Sequence, residues 1–149
     1  MQNLHYIFSS LFFGLLIYNN NIVYGCFCYP QSTNQELYCR ADFVIKMRLE
    51  NTVASRYSFF GPTKHYINIT EIFKATDGAS KALESNMLFD FGGGTSCEVP
   101  LERDGDYVLG GKVHDGMAKI HLCYLLINDI DQINNEYKNL RENYVKNCK

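Results

Sequence analysis

The sequence lacks an excess of positive charge. Its 149 residues contain 14 Lys and Arg against 16 Asp and Glu, a net charge of −2. Non-specific binding of nucleic acid needs a dense basic surface, so this composition excludes that class of partner. The chain also lacks an apolar run of the roughly 18–20 residues that a membrane-spanning helix needs. We therefore expect neither a nucleic-acid partner nor a membrane partner.

Signatures of catalysis are missing as well. Residues 92–96, GGGTS, resemble a phosphate-binding loop but lack its lysine, so a flexible connection between strands is favoured. Residues 104–106, DGD, resemble part of a calcium loop without its later ligands, which favours a turn. No serine or cysteine nucleophile motif accompanies His65, His114 or His121. We expect that the protein is not an enzyme and carries no cofactor of its own.

An apolar stretch, IFSSLFFGLLI at residues 7–17, lies near the amino terminus. Val23 and Gly25 then offer modest or small side chains at the two positions that a signal peptidase recognises. We interpret residues 1–25 as a secretory signal peptide and residues 26–149 as one secreted, extracellular domain. The segment before the apolar stretch has no Lys or Arg, and a short membrane anchor is the alternative.

All the cysteines follow this cleavage site. They are Cys26, Cys28, Cys39, Cys97, Cys123 and Cys148. An even number in a small secreted chain is typical of a disulfide framework, although six cysteines allow 15 pairings and the sequence alone does not choose among them. A structural zinc site would need close Cys-x-x-Cys pairs or nearby histidines, and the Cys-x-Cys spacing here does not fit.

The sequence contains one acceptor motif for N-linked glycosylation, Asn68-Ile69-Thr70. In a secreted chain this asparagine can carry a glycan. An unmodified position in a strand is the alternative interpretation. We therefore name Asn68 as the candidate glycosylation site.

Five segments have the pattern of short strands. They are residues 41–49, 66–73, 87–91, 106–109 and 118–122. Residues 51–63 are predicted to form an exposed loop or hairpin, and the Asp115-Gly116 pair is a strong turn signal between the last two strands. An antiparallel set of five strands must close its edges, which predicts a mainly β protein with a Greek-key barrel of the OB type.

Helices are expected on either side of these strands. Residues 32–38 have a capping residue and an early glutamate, and residues 75–85 form a connector or a short helix. Near the carboxyl terminus, apolar residues recur every three or four positions, the spacing of an amphipathic helix. They are Ile130, Ile133, Tyr137, Leu140 and Tyr144.

The predicted mature amino terminus, Cys26-Phe27-Cys28-Tyr29-Pro30, is unusual because chain termini are normally mobile. In an extended segment the first and third residues point the same way, so two disulfides could hold this strip against the domain. Pro30 fixes its own φ angle and favours an extended Tyr29. The pattern predicts a rigid, exposed strip headed by a free α-amino group, and simple anchoring of a terminus is the alternative.

Several motifs resemble the tissue inhibitors of metalloproteinases. The opening Cys-x-Cys-x-Pro is followed by Cys39 and by DFVIK at residues 42–46. YVLGGK at residues 107–112, KIHLC at residues 119–123 and the spacing to Cys148 are also similar to that family. The resemblance covers residues 26–149 and corresponds to the family's amino-terminal, netrin-like domain.

The resemblance implies a five-stranded OB barrel with flanking helices and three disulfides. The implied pairs are Cys26–Cys97, Cys28–Cys123 and Cys39–Cys148. It further implies an inhibitory edge made of the amino-terminal strip and part of a neighbouring connector. The implied edge residues are Cys26, Phe27, Cys28, Tyr29, Pro30, Gly94, Thr95 and Ser96.

The resemblance also implies a mechanism. The free amino group and carbonyl oxygen of Cys26 would chelate the catalytic zinc of a secreted metalloproteinase, so the zinc comes from the target. We therefore predict a secreted, monomeric inhibitor of zinc metalloproteinases. A netrin-like interaction or immune-modulating module without inhibition is the alternative. A ligand- or oligosaccharide-binding OB barrel is a third hypothesis. It lacks support, because the sequence shows no exposed strip of aromatic and basic residues that such a barrel would use.

Three features depart from the family pattern. Position 27 is Phe where the family typically has Thr or Ser, and this side chain is expected to enter the main specificity pocket of the protease. The family's Trp after the fifth cysteine is absent, since the chain contains no Trp. No second six-cysteine domain follows before Lys149, so we do not expect the contacts attributed to that domain. Phe27 is the strongest support for the non-inhibitory alternative.

Overall fold

The computed structural model describes residues 25, 26, 28, 32–54, 61–93 and 95–148. The predicted signal peptide up to residue 24 therefore lies outside the described residues. Four residues of the predicted inhibitory edge, Phe27, Tyr29, Pro30 and Gly94, also lie outside them, as do residues 55–60 of the predicted loop. Within the described part, no helix is both long and apolar enough to cross a membrane.

The five predicted strands are all present among the described residues. The strands are β1 (Phe43–Val53), β2 (Thr63–Ala75), β3 (Met87–Asp90), β4 (Asp106–His114), β5 (Met117–Ile120) and the unpredicted β6 (Leu126–Ile127). β1 runs beyond its predicted end because its exposed last residues still pair with β2, from Asn51 opposite Tyr66 to Val53 opposite Lys64. Part of the segment predicted as a loop is therefore strand.

The strands close into a five-stranded barrel, which confirms the predicted fold class. β1 pairs with β2 on one side and with β4 on the other, and the ring is completed through β3 and β5. The two-residue β6 lies against β4 on the same edge as β5. The expectation of a purely antiparallel set is wrong, because β3 and β5 pair in parallel. Parallel neighbours need a long crossover, and the connector and β4 supply it here.

Side chains along β1 alternate in direction, and this explains how the interior of the barrel is filled. Phe43, Ile45, Met47 and Leu49 are buried inside the barrel, as the sequence pattern predicts. Val44 points the opposite way but is also buried, because the helices cover that part of the outer face. The described residues thus form one core inside the barrel and a second between the barrel and the helices.

Side-chain caps fix where the helices begin. α1 (Asn34–Arg40) starts at Thr33, which forms a reciprocal capping box with Glu36. α2 (Asp77–Leu83) is capped by Thr76. The helix predicted at residues 32–38 is therefore confirmed with later bounds, and the predicted connector contains a short helix.

The carboxy-terminal helix is less regular than its sequence pattern predicts. α3 (Ile130–Lys138) is followed by a π-helical turn (Asn139–Asn143) and by α4 (Tyr144–Asn147). Ile133, Leu140 and Tyr144 are buried as expected, whereas Ile130 is exposed because it precedes the packed part of the helix. The disulfide between Cys39 and Cys148 ties the end of this segment to α1.

Candidate functional site

Two disulfides hold Cys26 and Cys28 at one end of the barrel. Cys26 is bonded to Cys97 in the connector after β3, and Cys28 is bonded to Cys123, just after β5. With Cys39–Cys148, these are the same three pairs that the resemblance implies. Cys28 and Cys123 are 95 positions apart, and closing such a loop stabilises the fold by roughly 4–5 kcal/mol in the chain-entropy model.

Cys26 lies in a well-defined setting. Its backbone nitrogen donates a hydrogen bond to Ser96 Oγ over 2.9 Å. Its Sγ lies 4.0 Å from the Sγ of Cys123, so the two disulfides are in contact. The structure therefore brings together Cys26, Cys28 and Ser96 from the predicted edge.

Thr95 has a different role in the described geometry. Its hydroxyl donates to Gly92 O over 2.6 Å and accepts from the backbone nitrogen of Cys97 over 3.1 Å. Both bonds stay within the connector that carries Cys97. The Thr95 hydroxyl therefore shapes this turn, while the residue itself remains exposed.

The buried carboxylate of Asp90 organises this connector. Asp90 is fully buried at the end of β3. Its Oδ1 accepts a hydrogen bond from the backbone of Gly92, and its Oδ2 accepts one from the backbone of Val99, both at 2.7 Å. One side chain thus fixes the two ends of the segment that carries Cys97. No sequence motif marks Asp90, since its partners are backbone groups.

Gly92 and Gly93 of this connector pack closely against neighbouring residues. A Cβ atom at Gly92 would collide with the backbone of Cys97, and one at Gly93 would collide with the side chain of Thr63. The prediction of a flexible connection is therefore wrong for these two positions. Glycine is needed because the backbone approaches its neighbours too closely for a side chain.

Replacing Asp90 by asparagine is expected to destabilise the protein. In Asp90→Asn the amide group places N–H atoms against one of the two backbone donors, which leaves a buried donor without an acceptor. We expect the free energy of unfolding to fall by about 2–3 kcal/mol. Urea unfolding measures this change. The exposed turn variant Asp115→Asn is the control, and an equal loss in both variants would contradict the role given to Asp90.

His65 lies one strand away from Asp90 and is almost completely buried. Its Nδ1 is 3.0 Å from Thr52 Oγ1, and its Nε2 has no hydrogen-bond partner among the described residues. Burial lowers the pKa of His65, and the charges of Asp90 and Glu98 oppose this effect. The folded protein therefore resists protonation of this ring.

This burial predicts a pH dependence of stability. Below about pH 6.5 the unfolded chain binds a proton at His65 that the folded ring resists, so the free energy of unfolding falls as the pH decreases. The decline continues until the pH reaches the lowered pKa of the folded state. Urea unfolding at several pH values measures the slope, which should be smaller in His65→Gln. Equal slopes in the two proteins would exclude His65 as the cause.

His121 is a further residue at the site that the sequence did not indicate. Its Nδ1 accepts a hydrogen bond from the backbone of Cys123 over 3.1 Å, so in the neutral ring the proton is on Nε2. Nε2 lies 4.0 Å from the Sγ of Cys26. His121 directly follows β5, and its ring thus lies against the Cys26–Cys97 disulfide.

The cysteines near His121 do not form a metal-binding site. Cys26, Cys97 and His121 offer atoms within a range that a metal could bridge, as do Cys26, Cys28 and Cys123. All four of these cysteines are in disulfides, whereas a cysteine binds a metal as a free thiolate. The donor set therefore does not fit a resident metal.

Asn68, the candidate glycosylation site, is exposed on β2 opposite Arg48 of β1. The hydroxyl of Thr70, the third residue of the motif, donates to the backbone oxygen of Lys46 over 3.2 Å. The side chain of Asn68 thus lies on the outer surface of the barrel. Its glycosylation remains a prediction.

A row of basic and aromatic side chains crosses the outer face of three strands. Lys64 of β2 is paired with Phe89 of β3, which is paired with Lys119 of β5. Phe91 follows β3 and completes this Lys–Phe row. The expectation that no exposed aromatic and basic strip exists is wrong, because these residues are distant in sequence and meet only through strand pairing.

Comparison with known proteins agrees with this architecture. The family model described as tissue inhibitor of metalloproteinase matches residues 24–149, which include the whole barrel and all six cysteines. A search of curated protein sequences gave no significant match. The family match covers most of the chain and the described residues carry the barrel and disulfides discussed above. The protein therefore belongs to the tissue inhibitor of metalloproteinase family.

Proposed function

We propose that the mature protein is a secreted inhibitor whose free amino-terminal Cys26 chelates the catalytic zinc of a metalloproteinase. Members of this family are metalloproteinase inhibitors rather than enzymes. The observation that carries the proposal is the double attachment of the strip, through Cys26–Cys97 and Cys28–Cys123. Such attachment lowers the ordering cost of binding.

Removal of residues 1–25 would give Cys26 a free α-amino group. Such a group has a pKa of about 7.7–8.0, so a useful fraction is neutral near pH 7, and coordination releases the remaining proton. The nitrogen and the carbonyl oxygen of the same residue form a five-membered chelate at the open position of a catalytic zinc, where they replace water. The hydrogen bond to Ser96 Oγ supports this proposal because it orients the nitrogen.

The same arrangement would protect the inhibitor from cleavage. A protease hydrolyses the amide bond between the carbonyl carbon of one residue and the nitrogen of the next. Cys26 would be the first residue, so no acyl group precedes its nitrogen. The strip would therefore occupy the cleft like a substrate, and the Cys26–Phe27 bond would not be hydrolysed because the chelate displaces the zinc-bound water that attacks a substrate carbonyl.

The proposed protease-binding edge comprises Cys26, Phe27, Cys28, Tyr29 and Pro30 with Gly94, Thr95 and Ser96. Support comes from the described members: the Cys26 nitrogen bonds to Ser96, and Thr95 is exposed beside it. The three disulfides agree with passage through an oxidising compartment and hence with secretion. We propose a monomeric extracellular inhibitor whose partners are secreted zinc metalloproteinases.

Two measurements on the secreted protein test the proposal. Mass spectrometry should show a mature chain that begins at unmodified Cys26. Titration of that chain against a panel of metalloproteinase catalytic domains should give stoichiometric inhibition of at least one of them. A different amino terminus, or the absence of inhibition across the panel, would overturn the proposal and favour a non-inhibitory interaction module.

A further inference from the structure

The Lys–Phe row lies at the end of the barrel that carries the proposed inhibitory edge. Lys64 is near the start of β2, whereas Phe89 and Lys119 are near the ends of β3 and β5. Because β2 runs antiparallel to β3 and β5 runs parallel to it, these positions meet at one end of the barrel. The same end holds Cys97 and Cys123.

Residues that follow the row in the chain contact the cysteines of the edge. Phe91 is followed by Gly92, which packs so closely on the backbone of Cys97 that a Cβ atom would not fit. Lys119 lies two positions before His121, whose Nε2 is 4.0 Å from the Sγ of Cys26. The row and the proposed edge are therefore adjacent parts of one surface.

The lysines of the row are held over aromatic rings. Lys64 Nζ lies 5.9 Å from the centre of the Phe89 ring, and Lys119 Nζ lies 4.4 Å from the centre of the Phe91 ring. Phe91 is 45% exposed and so presents apolar area at the surface beside Lys119. The lysine contacts orient these rings at the surface.

The positive charges of the row are available to a partner. The ion pairs found within the described residues use Arg48, Lys112 and Arg141 as their cations, and His114 contacts Asp115; neither lysine of the row takes part in these pairs. Lys119 Nζ lies 3.3 Å from His114 Nδ1, and the same Nδ1 lies 2.6 Å from Asp115 Oδ2, so an exposed carboxylate is near Lys119 without forming an ion pair with it. A carboxylate brought by a partner would therefore meet two lysines that form no ion pair within the described residues.

We infer that the Lys–Phe row is a second contact surface for the target metalloproteinase, and that it binds an acidic and apolar part of the protease surface beside the catalytic cleft. This inference rests on the proposed function. We assign the row to a protease because the row lies beside the proposed edge. A protease that takes Cys26 into its cleft would also cover the neighbouring row. An acidic polysaccharide is the competing ligand. It would match the positive charges of the row but would not account for the location of the row beside the proposed edge.

The two residue types of the row should affect binding differently. Charges at the rim of an interface mainly change the association rate and its salt dependence. Lys64→Glu and Lys119→Glu are each expected to lower the association rate constant about 3- to 10-fold near 0.05 M salt, with the difference nearly lost near 0.5 M. Phe91→Ala should raise the dissociation rate constant about tenfold, because it removes a large apolar contact.

The experiment measures association and dissociation rates of the mature chain with a catalytic domain that the wild-type protein inhibits. Lys138→Glu, an exposed charge reversal on α3, is the matched control and should leave both rates unchanged. Thermal unfolding verifies that each variant is folded, and Lys64→Glu repeats the test at an exposed position if Lys119→Glu disturbs packing. The Cys26 chelation is intact in all of these variants.

The outcomes separate this inference from the proposed function. Normal rates and normal salt dependence in the row variants, with inhibition retained, would overturn the inference alone. Loss of heparin-column retention in the row variants, without any change in protease association, would overturn it in favour of an acidic polysaccharide. Failure of the wild-type protein to inhibit any catalytic domain would overturn both.

Discussion

One alanine added before Cys26 is expected to abolish inhibition while leaving the fold intact. The addition converts the α-amino group into an amide, whose nitrogen has no free lone pair for a metal. It also places an extra residue where the zinc would lie. We expect inhibition to weaken at least about 100-fold, which corresponds to roughly 3 kcal/mol of binding free energy.

The measurement is the inhibition constant against one sensitive metalloproteinase. A variant with one alanine added after Lys149 is the control for the effect of an added residue. Both variants should keep three disulfides by mass spectrometry and unfold at the wild-type temperature, because residues 26 and 28 remain bonded to Cys97 and Cys123. Full inhibition by the extended protein would show that a surface other than the Cys26 chelate is responsible.

The cysteine pattern explains why so much of the fold can be predicted from the sequence. Cysteines and turn glycines are local signals, and their order along the chain matches one family. Strand alternation in β1 is also local, so the buried positions Phe43, Ile45, Met47 and Leu49 follow from it directly. These signals suffice for the barrel, although they do not fix where β1 and β2 end.

The features missed by sequence analysis depend on contacts between distant residues. Asp90 is important because backbone groups of the following connector converge on it, and backbone groups have no sequence signature. His121 touches a disulfide formed by residues far from it in the chain. The parallel pairing of β3 with β5, which aligns Phe89 with Lys119, is equally non-local.

The proposed inhibitory edge likewise combines features that the sequence predicts with contacts that only the fold reveals. Cys26, Cys28 and Ser96 are found together because two disulfides and one hydrogen bond join them. Thr95 is exposed beside Ser96, and its hydroxyl is used within its own turn. Phe27 lies outside the described residues, so its contribution is argued from chemistry alone.

Phe27 is expected to make the inhibitor selective. The residue after the zinc-binding cysteine should enter the main specificity pocket of the protease, where the family typically has a small hydroxyl side chain. In a deep pocket, burial of the Phe ring would favour binding by roughly 1.5–3 kcal/mol. In a shallow pocket, the extra volume would cost about 1–3 kcal/mol. We therefore expect strong inhibition of deep-pocket metalloproteinases and weak inhibition of shallow-pocket ones.

Phe27→Thr should narrow this difference, because threonine neither fills a deep pocket nor overfills a shallow one. The ratio of the inhibition constants for a shallow-pocket and a deep-pocket enzyme is expected to fall by about 10- to 100-fold, since each tenfold step corresponds to about 1.4 kcal/mol. Ile72→Thr, which replaces an exposed apolar residue on β2, is the matched control and should leave the ratio unchanged. Equal inhibition of both enzymes by the wild-type protein would mean that Phe27 does not enter the pocket. If neither the wild-type protein nor Phe27→Thr inhibits any metalloproteinase, the barrel has kept the family fold without its activity, and the role of an interaction module replaces that of an inhibitor.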